Sequence, residues 1–131
     1  MKYLLILGAL YGGYWYVAKH YEFHDTLAYA KKNPGASWAP ATDYYVGLMY
    51  YQRSDYKNAE EAFTQLLTDY PTSQYRELGL FYNEGAAEND GNWDSARTLT
   101  QQYLDDFPNG KHIDIMKNRQ ENIIHMHSAT P

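Results

Sequence analysis

Three prolines, Pro34, Pro71 and Pro108, stand 37 residues apart, and each closes a similar stretch: Ala-Tyr-Ala-Lys-Lys-Asn-Pro, Gln-Leu-Leu-Thr-Asp-Tyr-Pro and Gln-Tyr-Leu-Asp-Asp-Phe-Pro. An internal period of this length means stacked supersecondary units, each too small to bury its own apolar face. Such a chain offers a surface for binding rather than a pocket for chemistry.

The register extends beyond the prolines. A shift of 37 lays Tyr44-Tyr45 on Phe81-Tyr82, Ser54 on Gly91, Tyr56 on Trp93, Ala59 on Ala96 and Trp38 on Tyr75. Within a unit, one helix ends near Gln52-Arg53 or Ala87-Glu88, a polar turn follows (Ser54-Asp55 or Asn89 to Asn92), and a second helix runs to the proline. The second helices carry apolar residues at helical spacing: Tyr56, Ala59, Phe63, Leu66 and Leu67, then Trp93, Ala96, Leu99, Tyr103 and Leu104. Ala59 and Ala96 are small, so the two antiparallel helices can approach closely. Proline stops the second helix because it has no N–H and disfavours helical geometry in the residue before it.

At Gly47, Tyr50, Tyr56, Ala59, Phe63 and Pro71, and again at Gly91, Trp93, Ala96 and Pro108, the chain resembles the tetratricopeptide repeat family. The resemblance spans Pro40 to Pro108 and implies an all-α solenoid of helical hairpins that binds other proteins and catalyses nothing. It departs from the family pattern in its period of 37 rather than about 34, and in Glu84 and Ala87, which stand where the second unit should have a glycine and a tyrosine. An altered first helix is therefore expected in that unit. The resemblance also places Tyr44, Leu48, Tyr51, Gln52, Phe81 and Glu88 on a concave face where a partner would bind.

With 131 residues, 44% of them hydrophobic, the repeats suit one modest domain. Two complete units, about 38–71 and 75–108, fall short of the three that solenoids usually need. The flanks are expected to supply the rest. Tyr21 to Asn33 aligns with a second helix whose first helix is missing, and Ile113, Met116, Ile123, Ile124 and Met126 mark a closing helix over about 111–127 with a solvating polar middle. The chain thus divides into a single long helix over 1–34 and a repeat domain over 35–131.

Met1-Lys2 is followed by an uncharged run from Tyr3 to Ala18. A cleaved signal peptide, a membrane anchor and a helix buried in a protein assembly are the competing readings. No small-x-small cleavage site follows the apolar core, which weakens the first, and a lipoprotein signal fails for want of a cysteine. As a span, sixteen residues reach about 24 Å, short of a hydrocarbon core of about 30 Å. Leu4, Leu5, Ile6, Leu7, Leu10 and Trp15 are the anchoring residues in either remaining case, with Tyr3, Tyr14 and Tyr16 suited to interfacial belts. Gly8 with Gly12 and Ala9 with Gly13 form two small-x-x-x-small pairs that let another helix approach to backbone contact. A tyrosine in the helix centre finds hydroxyl partners more readily among packed helices than in lipid. A short basic leader before an apolar run points to an N-terminus inside and repeats outside the cytoplasm, in the periplasm or at the cell surface.

Fifteen tyrosines are many for this length. Tyr45, Tyr50, Tyr56 and Tyr103 are read as core, the concave-face aromatics as anchors for a peptide or a neighbouring subunit. His20 and His24, four apart, have a spacing that can hold a transition metal, which makes a metal-dependent hydrolase the remaining enzymatic reading. The glutamate is misplaced for a zinc-protease motif. No cofactor is implied, and a net charge of −5 with one short basic cluster, Lys31-Lys32, argues against nucleic acid. The sequence therefore predicts a protein-interaction scaffold anchored through its first helix in a membrane or a larger assembly, with other protein subunits or copies of itself as partners. A pilus-like extracellular filament with that helix as its core is the alternative.

Overall fold

The structure, a computed structural model, describes residues 2–20 and 24–126, with 17–20 and 24 described by their backbone alone. Within them lie seven helices and no strand: α1 (Lys2–His20), α2 (His24–Lys32), α3 (Ala39–Gln52), α4 (Tyr56–Asp69), α5 (Arg76–Asn89), α6 (Trp93–Asp106) and α7 (Ile113–Met126). From α2 onward each helix packs on the next, and α3 also touches α5. The expectation that the first 34 residues form one helix turns on residues 21–23, which lie outside the described residues.

Two kinds of turn alternate. After each first helix the backbone closes a Schellman motif: Ser54 N–H donates to Tyr51 C=O (3.0 Å) and Asp55 N–H to Tyr50 C=O (2.9 Å), as Gly91 does to Glu88 (3.1 Å) and Asn92 to Ala87 (2.8 Å). The motif needs a left-handed residue, which is Ser54 (φ 59°) in one hairpin and Gly91 (φ 74°) in the other. After each second helix a different ladder recurs. Asn33, Tyr70 and Phe107 accept from Ala36, Ser73 and Gly110 at 2.9 to 3.1 Å, and these accept in turn from Ala39, Arg76 and Ile113. Because α2 ends in the same ladder as α4 and α6, it is a second helix by backbone geometry as well as by register.

The second-helix stripes are buried as their spacing predicts, with Ala59, Phe63, Leu66, Ala96 and Tyr103 completely covered. One core lies around α3 and α4, the other between α5, α6 and α7. They are built differently at matching positions. In the first hairpin Gly47 leaves room for the Phe63 ring, which a Cβ there would meet at 2.6 Å. In the second, the glycine is replaced by Glu84 and the phenylalanine by Thr100, both fully buried. A large residue on the second helix is exchanged for a large one on the first.

Two sequence expectations are corrected in α3. Tyr45 is 56% exposed and Tyr44 only 6%, the reverse of the predicted core and concave-face assignment. Successive helical residues point about 100° apart: Tyr44 contacts Phe63, Tyr75 and Tyr82, whereas Tyr45 meets Tyr75 edge-on at 6.2 Å from the exposed side.

Candidate interaction surfaces

An aromatic step recurs at the start of α3, α5 and α7. Trp38 and Tyr75 cap α3 and α5, and His112 directly precedes α7. Each stacks on a ring of the preceding unit: Trp38 on Tyr29 at 5.5 Å, Tyr75 on Tyr44 at 5.0 Å and His112 on Phe81 at 4.0 Å between centroids. Such stacks add to the apolar area that aromatic rings bury. They join neighbouring units, Trp38 through the second helix α2 and Tyr75 and His112 through the first helices α3 and α5.

Of the residues placed on the concave face, Tyr44 is core, and burial pushes its hydroxyl up to about 12. Leu48 and Tyr51 are half-buried against the first core, with Tyr51 edge-on to Tyr56 (5.5 Å) and Tyr82 (5.6 Å). Burial raises the Tyr51 hydroxyl as well. Gln52 is exposed. Phe81 and Glu88 are half-buried beneath α7: the Arg119 guanidinium lies 4.8 Å from the Phe81 ring, and its Nε is 3.7 Å from Glu88 Oε2. The polar middle of α7 is thus more than a solvating surface, because Arg119 reaches back into the domain.

Arg119 finds there a group whose role sequence reasoning missed. Its Nη1 donates to Glu84 Oε2 at 2.7 Å, while Glu84 Oε1 has no partner. Burial, opposed by the Arg119 hydrogen bond, pushes the Glu84 carboxyl up to about 7. Asp43 is a second buried acid. Gln65 Nε2 donates to its Oδ1 (3.1 Å) and to the Leu27 carbonyl (3.0 Å), tying α3, α4 and α2 together. Burial carries Asp43 up to about 6. The readable signal was an acid at a position where its repeat partner is small or apolar: Gly47 opposite Glu84, and Leu80 opposite Asp43.

The α1 residues form a separate surface. Every side chain from Lys2 to Tyr16 is exposed, with Leu4, Leu5, Ile6, Leu7, Leu10 and Trp15 ranging from 55% to 77%. A Cβ on Gly8, Gly12 or Gly13 would meet nothing within 4 Å, and Ala9 is equally open. α1 packs extensively on no other helix. No helix among the described residues is long and apolar enough to cross a membrane. Four tyrosines and three glycines dilute the aliphatic run, and lysines and a histidine flank it.

The His20 and His24 side chains lie outside the described residues. Among the described residues, no group of three or more histidines or carboxylates is placed to hold a metal ion. The geometry offers surfaces, aromatic steps and buried ion pairs.

The tetratricopeptide repeat family model matches residues 41–73 and 77–110, just over half of the chain. No curated protein matches it.

Proposed function

The chain belongs to the tetratricopeptide repeat family, and we propose that it is a non-enzymatic protein-interaction scaffold whose first helix fixes the repeats in a larger protein assembly. The observation that carries this reading is the exposure of α1. A helix that is apolar all round is stable in water only when other groups surround it. Here those groups are protein: the tyrosine hydroxyls need hydrogen-bond partners that acyl chains lack, and the helix falls short of a membrane span. Two hairpins form only a shallow groove, whose central part is already covered by Arg119, so lateral packing between subunits suits the surface better than capture of a free peptide.

Sedimentation of the full chain in detergent-free buffer tests the reading. A particle several times the mass of one chain, regular in size, is expected. A chain that stays monomeric, or that disperses only with detergent or lipid, would sink it.

A further inference from the structure

Carried back by one period, the repeat places α1 where a first helix belongs. Residues 2–15 lie 37 before α3 (Ala39–Gln52), and α2 closes with the same backbone ladder as the two complete second helices. Yet α1 and α2 are not packed as a hairpin. The reason lies at the turn. The position held by left-handed Ser54 and Gly91 is held by Val17 one period earlier, and Val17 is part of helix α1. A β-branched residue is a severe outlier in the left-handed region, so the helix runs on to His20 instead of turning back.

As a result α2 has the flank of a second helix with no first helix packed on it among the described residues. Tyr29 is 61% exposed, whereas its counterparts Leu66 and Tyr103 are completely buried. Tyr103 shows what is missing: its hydroxyl donates to Glu77 of its own first helix (3.1 Å) and accepts from His112 N–H of the next unit (3.0 Å). Tyr29 has the second kind of neighbour, Trp38, at 5.5 Å. Asp25, exposed on α2, stands where Ala62 and Leu99 are buried, and its carboxylate can accept from tyrosine hydroxyls such as those on α1.

We infer that α1 of one copy seats on the exposed flank of α2 in a second copy and supplies the first helix that α2 lacks. The ten large side chains from Tyr3 to Tyr16 are each more than half exposed. Together they present on the order of 1,000 Å² around the helix, of which one seated face buries about half, so a reciprocal exchange with two such contacts reaches the roughly 800 Å² that each partner contributes to a stable interface. Ala9 and Gly13, one period before the buried Val46 and Tyr50, are small and let the backbones approach on the face that a first helix buries, as the small Ala59 and Ala96 do within the complete hairpins. Exchange of an identical element between copies is a low-cost route to assembly, closed if reciprocal and open if each copy passes its helix onward. The inference rests on the reading of α1 as the assembly element and adds its seat.

The absence of cysteine makes the contact directly testable. The hydrogen bond between Asp43 and Gln65 pairs α3 with α4 (3.1 Å), and one period earlier these positions are Ile6 and Ala28. Chains carrying Ile6→Cys and chains carrying Ala28→Cys are mixed and treated with a short bis-maleimide. A covalent dimer containing one of each is expected, little product from either alone, and a yield reduced about tenfold when Tyr29→Asp is added to the Ala28→Cys chain. Dimers from Ile6→Cys alone would mean that α1 helices bundle with each other. A link within one chain in the highly diluted double variant would mean that α1 folds back on its own α2. Either overturns the inference, as does the absence of crosslinks in a chain that still sediments as an assembly. A chain that neither crosslinks nor assembles overturns the scaffold reading too.

Discussion

Gly47 and Glu84 occupy the same place in two successive units: Phe63 of the opposite helix fills the space that Gly47 leaves, whereas Glu84 fills the space left by Thr100. The Phe63 ring against Gly47 is wedged by Tyr44 and Tyr82, at 6.2 and 6.3 Å between centroids, and cannot swing away. Gly47→Ala gains helix propensity worth up to about 1 kcal/mol but overpacks the ring. A net loss of about 1 to 2 kcal/mol in urea unfolding is expected. Glu84 and Asp43 predict a pH dependence. Their carboxyls stand at about 7 and about 6 in the folded chain against ordinary values of 4.5 and 3.8, so the folded state holds more protons in that window. Glu60, raised to about 7 by burial and by Asp90 beside it, acts in the same direction. Stability is therefore full below the ordinary values and falls as pH rises through the folded ones. Unfolding at a series of pH values should show the domain more stable at pH 5 than at pH 8, and Glu84→Gln should flatten that slope. The presence of both acids was plain in the sequence; that they are buried was not, because an acid on a helix face is ordinarily solvated.

The elements are set by their ends. Each second helix stops before a proline, and each first helix stops in a Schellman turn whose left-handed residue differs between the hairpins. Ser54 is the costlier choice, since a side chain in the left-handed region loses about 1 kcal/mol that glycine does not. Its hydroxyl accepts a long hydrogen bond from the Tyr56 hydroxyl, 3.5 Å. Ser54→Gly is thus expected to stabilise the protein by about 0.5 to 1 kcal/mol, visible as a higher Tm. No change or a fall would mean that the turn is held by contacts beyond the backbone. Turns and hairpins were legible because proline, glycine and the helical spacing of apolar residues act locally. The rotation of α3 about its axis, which exchanges the roles of Tyr44 and Tyr45, was not. Two adjacent tyrosines carry the same propensity, and only the neighbouring helix decides between them.

At the scale of the whole molecule, two hairpins are closed by α7 at one end and left with the half unit α2 at the other. The α1 helix, uncharged from Tyr3 to Ala18, belongs to neither core. Assembly and folding should therefore respond to separate substitutions. Leu7→Lys replaces an exposed residue of α1 and is expected to change unfolding stability by no more than about 0.5 kcal/mol, while reducing the sedimenting particle towards a single chain. A large loss of stability with assembly intact would place Leu7 in the fold of the domain. The closing helix is joined to α5 by the pair of Arg119 and Glu84, which links the end cap to the middle of the stack.

The period of 37, the breaks at Pro34, Pro71 and Pro108 and the apolar stripes were enough by themselves to determine helical hairpins in series, because each is a property of residues within one turn or one helix of each other. What the acids, the paired tyrosines and α1 do was decided only in three dimensions. Glu84 is buried because Thr100 across the hairpin leaves room and Arg119 lies 35 positions away in the chain, and α1 stands apart because Val17 occupies a turn position that only a comparison with Ser54 and Gly91 reveals. Local pattern fixes which segments coil. Long-range packing fixes which side of each coil meets water, and that is where this protein keeps its surfaces for partners.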